Sequence, residues 1–349
     1  LHLHIHLLEM SSEPEQAMNS ADRLGQLARD AGHLHHMPGH IYVLCGEYER
    51  AKAASEKAIA ADKQYLEYAG PYNYYTTSRC HNLHLMMYTC MHLGQFEAAL
   101  SAADGICKNL TPDIINLKNK PFIMHTMEGY FSMKMHVLIS FGKWQEIINA
   151  AMPDNAGLYC VSTSMHHYAK TVAYAATQQF IEADQEKNFF YESLHLIDRN
   201  RRFFNNPALQ TLGVGEKMLL GELEYHKQNY EAAFEHLRDA VERCDALHYS
   251  EPWPWMHPPR HALGALLIEQ GHYDEAEQVY RDDLGLSERV PRCAQHPNNV
   301  WALHGLMECL KFRNAKDEIA RYQAHLDRAM SYADVKIESS CNCRGMMTD

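Results

Sequence analysis

The sequence predicts an all-α fold of helix-turn-helix pairs laid end to end, and three observations predict it. One pattern recurs along the chain: a helix-like run, a Gly or polar turn residue, an aromatic two positions on, then Glu- and Ala-rich helix. Apolar residues make up 46% and charged residues 22% of the 349, a balance that excludes a disordered or a membrane-embedded chain. No apolar run approaches the roughly 18–20 residues of a transmembrane helix.

In chain order, a weak copy of the pattern is Ser12-Glu13-Pro14-Glu15-Gln16-Ala17. Clear copies follow at Gly46-Glu47-Tyr48-Glu49-Arg50-Ala51, Gly94-Gln95-Phe96-Glu97-Ala98-Ala99 and Gly142-Lys143-Trp144-Gln145-Glu146. The pattern returns as Gln178-Gln179-Phe180-Ile181-Glu182-Ala183, Gln228-Asn229-Tyr230-Glu231-Ala232-Ala233 and Gly271-His272-Tyr273-Asp274-Glu275-Ala276, and Trp301 with Gly305 opens a last unit. Gly permits the tight turn, the aromatic is expected between the two helices, and Ala lets them approach.

These units resemble the tetratricopeptide repeat over nearly the whole chain. The resemblance implies a right-handed α-solenoid of about seven or eight helix pairs, a single continuous array over 1–335 followed by a polar tail over 336–349. Longer connections are expected near 62–80, 108–124, 195–214 and 246–258.

Charge and cysteine usage narrow the function classes. Thirty-two Lys and Arg against 44 Asp and Glu give −12, which argues against nucleic acid and anionic membranes as partners. Eight single cysteines, mostly in apolar helical stretches, read as small core residues of a reducing compartment, while Cys341 and Cys343 fall in a polar tail that reads as a disordered end, with metal binding or oxidation as the alternative. A chain starting at Leu1 leaves an upstream targeting segment open.

The 24 histidines require an account, and their phase supplies one. Counting back from the turn residues, His2 and His6 stand ten and six places before Ser12, His36 and His40 ten and six before Gly46, and His84 ten before Gly94. His33 and His81 share a second phase, thirteen before their turns. Positions four apart share one helical face. The repeat resemblance puts that face of the first helix of each pair on the concave groove. His2, His6, His33, His36, His40, His81 and His84 then form a ladder across three repeats.

The chemical reading is metal binding. His-x-x-x-His presents two imidazoles from one face, and helices packed roughly 8–10 Å apart let neighbouring repeats share an ion. Nitrogen ligands without convergent Cys favour copper, iron, zinc or nickel over Mg or Ca. Glu9 is expected as a ligand, an outer partner or a general base.

Two aromatic segments add expectations. Tyr65, Tyr68, Tyr72, Tyr74 and Tyr75 crowd the connection leading to His81, where a lid or a substrate contact can form. Arg260 and His261 begin a helix behind Pro259, a place for anion or substrate recognition. The short basic run Arg199-Asn200-Arg201-Arg202 reads as a solvated loop. No G-x-S-x-G, His-Glu-x-x-His, phosphate-binding loop or dinucleotide fingerprint occurs. Two functions remain: a metalloprotein, oxidoreductase or hydrolase, acting on a small molecule, or an interaction scaffold holding a peptide or partner domain in the groove.

Overall fold

The computed structural model describes residues 1–27, 30–117 and 120–344. Its elements run α1 (His2–Leu8), α2 (Met18–Leu24), α3 (Gly32–Leu44), α4 (Tyr48–Ala69), α5 (Tyr75–Leu93), α6 (Phe96–Asn109), α7 (Pro112–Ile115), α8 (Pro121–Met127), α9 (Met133–Ser140) and α10 (Trp144–Asn149). They continue with α11 (Cys160–Ala176), α12 (Phe180–Leu194), β1 (Arg202–Phe203), β2 (Asn206–Pro207), α13 (Ala208–His226), α14 (Tyr230–Asp245), α15 (Pro259–Glu269), α16 (Tyr273–Asp283), α17 (Val300–Phe312) and α18 (Lys316–Tyr332). Among the described residues the two-residue strands form the only sheet, an antiparallel hairpin.

The repeat signal is visible in the backbone. The turn residues Gly46, Gly94, Gly142, Gln178, Gln228 and Gly271 all have φ between 59° and 79°, the left-handed region that reverses the chain after a helix. Gln occupies two of these positions, where the backbone conformation is the same but costs an L residue more. Three places after each aromatic comes a residue with no exposed surface: Ala51, Ala99, Ile147, Ala183, Ala233 and Ala276. The aromatics sit less deep than expected. Tyr48 is buried, but Phe96, Trp144, Phe180 and Tyr273 are half-buried and Tyr230 is exposed. The small residue at the helix contact, more than the ring, fills the space between paired helices.

Helix composition follows position. α3, α5, α11, α13, α15 and α17 are buried on most of their circumference. α4, α6, α14, α16 and α18 bury a narrow stripe and turn their charged residues outward, as amphipathic helices do.

The chain divides into two compact units. The first comprises Leu1–Asn109, Glu251–Trp253 and Gln270–Ser340, so helices from both ends of the sequence share it. Trp301 Nε1 on α17 donates to the Met91 carbonyl on α5 at 2.8 Å, and Gln95 Nε2 donates to the Tyr332 carbonyl at 2.8 Å. Its core includes Ile5, Met37, Ile41, Leu85, Met87 and Ile106, each contributing roughly 1.5–3 kcal/mol by leaving water. The Met residues beside His84 are core residues: Met86, Met87 and Met91 are all buried.

The second unit comprises Leu110–Ser250, Pro254–Glu269 and the segment from Cys341. Tyr168, Phe190, Phe203 and Trp255 fill its core. Arg201, expected in a solvated loop, is buried here, donating to the Met124 carbonyl at 3.0 Å and lying 3.4 Å from the fully buried Glu128 carboxylate. An unpaired carboxylate there would be costly to bury, and Arg201 balances it.

Two expectations about connections are corrected. The region 62–80 is mostly helix, because α4 continues to Ala69 and α5 begins at Tyr75. The described part of the polar tail is partly buried: Ile337 packs where a Cβ on Gly94 would meet it, Ser340 and Cys343 are covered, and Cys341 and Cys343 form a disulfide.

Candidate metal centre

Three helices of the first unit bring the histidines together. α1 carries His2 and His6, with Glu9 just after its last turn; α3 carries His33, His36 and His40; α5 carries His81. Small residues let these helices meet. A Cβ on Gly39 would lie 2.6 Å from Cδ2 of Leu85 on α5, so the missing side chain allows the close approach of α3 to α5. The rings of His36 and His81 consequently meet with centroids 4.3 Å apart. Gly32, at the start of α3, lies against the Asp62 carboxylate of α4 and the Tyr75 hydroxyl.

The ligand atoms form three overlapping groups, each with its members within 4.8 Å of one another: His2, His6 and His33; His36, His40 and His81; and His6, Glu9, His40 and Glu251. Glu9 accepts from Nδ1 of His6 and from Nδ1 of His40, both at 2.7 Å, one through each carboxylate oxygen. Nε2 of His40 faces Nε2 of His36 at 2.7 Å. Glu251 closes the cluster, 3.6 Å from His6 Nδ1, 3.9 Å from His40 Nε2 and 4.0 Å from His81 Nε2. The His2 Nε2 and His36 Nδ1 atoms are buried without a hydrogen-bond partner among the described residues.

Burial grades across the cluster. His36, His40 and Glu9 are sealed in the interior, whereas the side chains of His6, Glu251 and His81 keep 31%, 30% and 20% of their surface.

The electrostatics keep most of these imidazoles neutral. Burial, reinforced by neighbouring histidines, holds His36 and His81 well below the ordinary imidazole value and lowers His33 to about 4. At His40 burial acts in the same direction, but the hydrogen bond and charge of Glu9, with Glu251, outweigh it and raise the ring above its usual range. Burial pushes Glu9 up, yet its bonds from His40 and His6 win and hold it at about 2. Glu9 bonds Nδ1 of both rings, so one carboxylate orients two imidazoles and leaves their Nε2 atoms turned away from it.

The other expected site residues fall elsewhere. His84 is fully buried on α5, outside the three groups, and burial lowers it to about 3. It stands one turn beyond His81, so the phase that brings His36 into the cluster is met on α5 by His81. Tyr72 and Tyr74 are exposed, and the Tyr75 hydroxyl donates to Asp62 Oδ1 at 2.8 Å. The connection residue that reaches the histidines is Glu251. Arg260 and His261 belong to the second unit, where the Arg260 guanidinium grips Asp245 through two bonds of 2.7 and 2.6 Å. That pairing occupies the group expected to recognise an anion. Glu251 was not foreseen as a ligand, because it lies in a Pro- and Trp-rich connection with no helical phase to mark it.

The fold is thus an all-α helical repeat whose first unit carries a half-buried cluster of imidazoles and carboxylates, groups of the kind that could hold a metal ion. Tetratricopeptide-repeat models match residues 32–65, which include His33, His36 and His40, and residues 215–289. Over those two segments the chain carries tetratricopeptide repeats. No curated protein matches it. Among the described residues no helix is long and apolar enough to cross a membrane.

Proposed function

We propose that this protein binds a first-row transition ion, copper, iron or zinc, among α1, α3 and α5, and presents it to a small molecule as an oxidoreductase or hydrolase. The observation that carries this reading is the convergence of six imidazoles and two carboxylates from three helices and a distant connection on one place. Packing six imidazoles together is an expensive use of core volume, and the buried His2 Nε2 and His36 Nδ1 atoms have no hydrogen-bond partner among the described residues to offset their loss of water. A bound ion satisfies the facing nitrogens and leaves coordination positions toward the rim at His6, His81 and Glu251. There it can acidify water or activate oxygen.

Metal analysis of protein purified without a polyhistidine tag tests the proposal. Close to stoichiometric copper, iron or zinc is expected, and a metal-free protein that takes up none of the three would refute it. The repeat-family match favours a second reading, because tetratricopeptide repeats typically bind peptides or proteins. A peptide or partner domain would then be the ligand, and the imidazoles would be hydrogen-bonding groups.

A further inference from the structure

We infer that the cluster is built for two ions, each held by its own triad of histidines. This rests on the metal-binding reading above and goes beyond it in stoichiometry and arrangement. His2, His6 and His33 make one triad, with ring centroids 4.9 Å (His2–His6) and 5.2 Å (His2–His33) apart. His36, His40 and His81 make the other, at 4.6 Å (His36–His40), 4.3 Å (His36–His81) and 6.1 Å (His40–His81). No residue is shared, so one ion does not exhaust the ligands. The triads adjoin, with His6 5.8 Å from His40 and His33 5.9 Å from His36 between centroids.

What separates them is carboxylate. The third convergent group takes one histidine from each triad, His6 and His40, and adds Glu9 and Glu251. Glu9 spans the boundary, accepting from His6 with one oxygen and from His40 with the other. Each of those rings uses Nδ1 for Glu9, which leaves Nε2 to its own triad. The contact between His40 Nε2 and His36 Nε2 shows that arrangement in the second triad, and the partnerless buried His2 Nε2 is an unused donor atom in the first. Two divalent ions side by side bring four positive charges, and the two carboxylates between the triads offset half of them. Three nitrogens per ion, with no thiolate, suit copper or zinc and leave each ion an open position.

The experiment is copper loading of the full chain with removal of loosely held metal on a desalting column, followed by elemental analysis and electron paramagnetic resonance. Wild-type protein is expected to keep two copper ions per chain. His2→Ala with His33→Ala, and separately His36→Ala with His81→Ala, should each keep one. The resonance of the wild type should account for fewer spins than its copper content, because adjacent Cu(II) ions couple, and each double variant should recover one full spin. One ion in the wild type, unchanged by His2→Ala with His33→Ala, would overturn the two-ion inference and leave the metal-binding reading standing. No retained copper, together with no uptake of iron or zinc in parallel loadings, would remove both. The wild-type count decides the matter even if a double variant fails to fold.

Discussion

Glu9 and His40 stand 31 residues apart in sequence, yet Glu9 Oε2 accepts a hydrogen bond from His40 Nδ1 at 2.7 Å in the interior of the first unit. The same carboxylate holds His6. Two ring orientations on two helices therefore depend on one side chain. Replacing Glu9 with Gln should weaken metal binding about 10–100-fold, the usual cost of losing an outer partner, as read by competition with a chelator of known affinity. An unchanged affinity would show that Glu9 does not position these rings.

The left-handed turns give a prediction about the scaffold. Gln228 holds φ at 66°, a conformation Gly adopts without steric cost. Gln228→Gly should raise stability by about 0.5–1 kcal/mol in urea unfolding. A loss of stability would mean that the Gln side chain makes a contribution larger than the backbone strain.

Close helix packing in the first unit predicts the opposite effect of added bulk. A Cβ on Gly305 of α17 would lie 2.6 Å from Cε1 of Tyr280, a fully buried ring whose hydroxyl shares a 2.6 Å hydrogen bond with Ser340. Gly305→Ala should destabilise by about 1–3 kcal/mol. An Ala variant as stable as wild type would show that α16 and α17 can separate freely.

Buried histidines of the second unit set its response to acid. Burial lowers His257 to about 3 and His166 to about 4. Below their ordinary value near 6.5 the unfolded chain binds protons that the folded one refuses. Stability therefore falls as pH drops from about 6.5 toward 4, by about 1.4 kcal/mol per pH unit for each such group. Urea midpoints between pH 7 and pH 4.5 should show this slope, and His257→Gln should flatten it. A slope unaffected by the substitution would mean that His257 is not kept neutral.

Glu222 acts with the reverse sign. Burial raises its carboxyl to about 8, so the folded state keeps a proton that the unfolded state releases above about 4.5. Its contribution is intact below that value and is lost as pH rises through about 8. Glu222→Gln should leave stability at pH 4.5 nearly unchanged and raise it at pH 9. Equal effects at both pH values would contradict the account.

The helices were legible because periodicity and turn chemistry are local. The turn residues at 46, 94, 142, 178, 228 and 271 can be counted without coordinates, and each proved left-handed. The His face was legible for the same reason, since phase relative to a turn fixes the side of a helix. Its limits were those of phase. His84 shares the phase of His36 but lies in the core, because adjoining helices are offset by about a turn and His81 takes the place beside His36. Glu251 had no phase at all, being supplied by a connection far along the chain from every one of the helices that carry the histidines. Arg260 and Arg201 looked available because their partners, Asp245 and Glu128, are set by tertiary packing.

The most direct test of the central claim is thermal unfolding of the wild type and the His36→Ala, His40→Ala double variant, each with and without chelator, alongside metal content. The account predicts that wild-type protein carries metal and melts at a lower temperature in chelator, because an ion that binds only the folded chain stabilises it. The double variant should lose metal and melt at one temperature in both conditions. Wild-type protein that purifies metal-free and melts identically in chelator and in added zinc, copper or iron would contradict it.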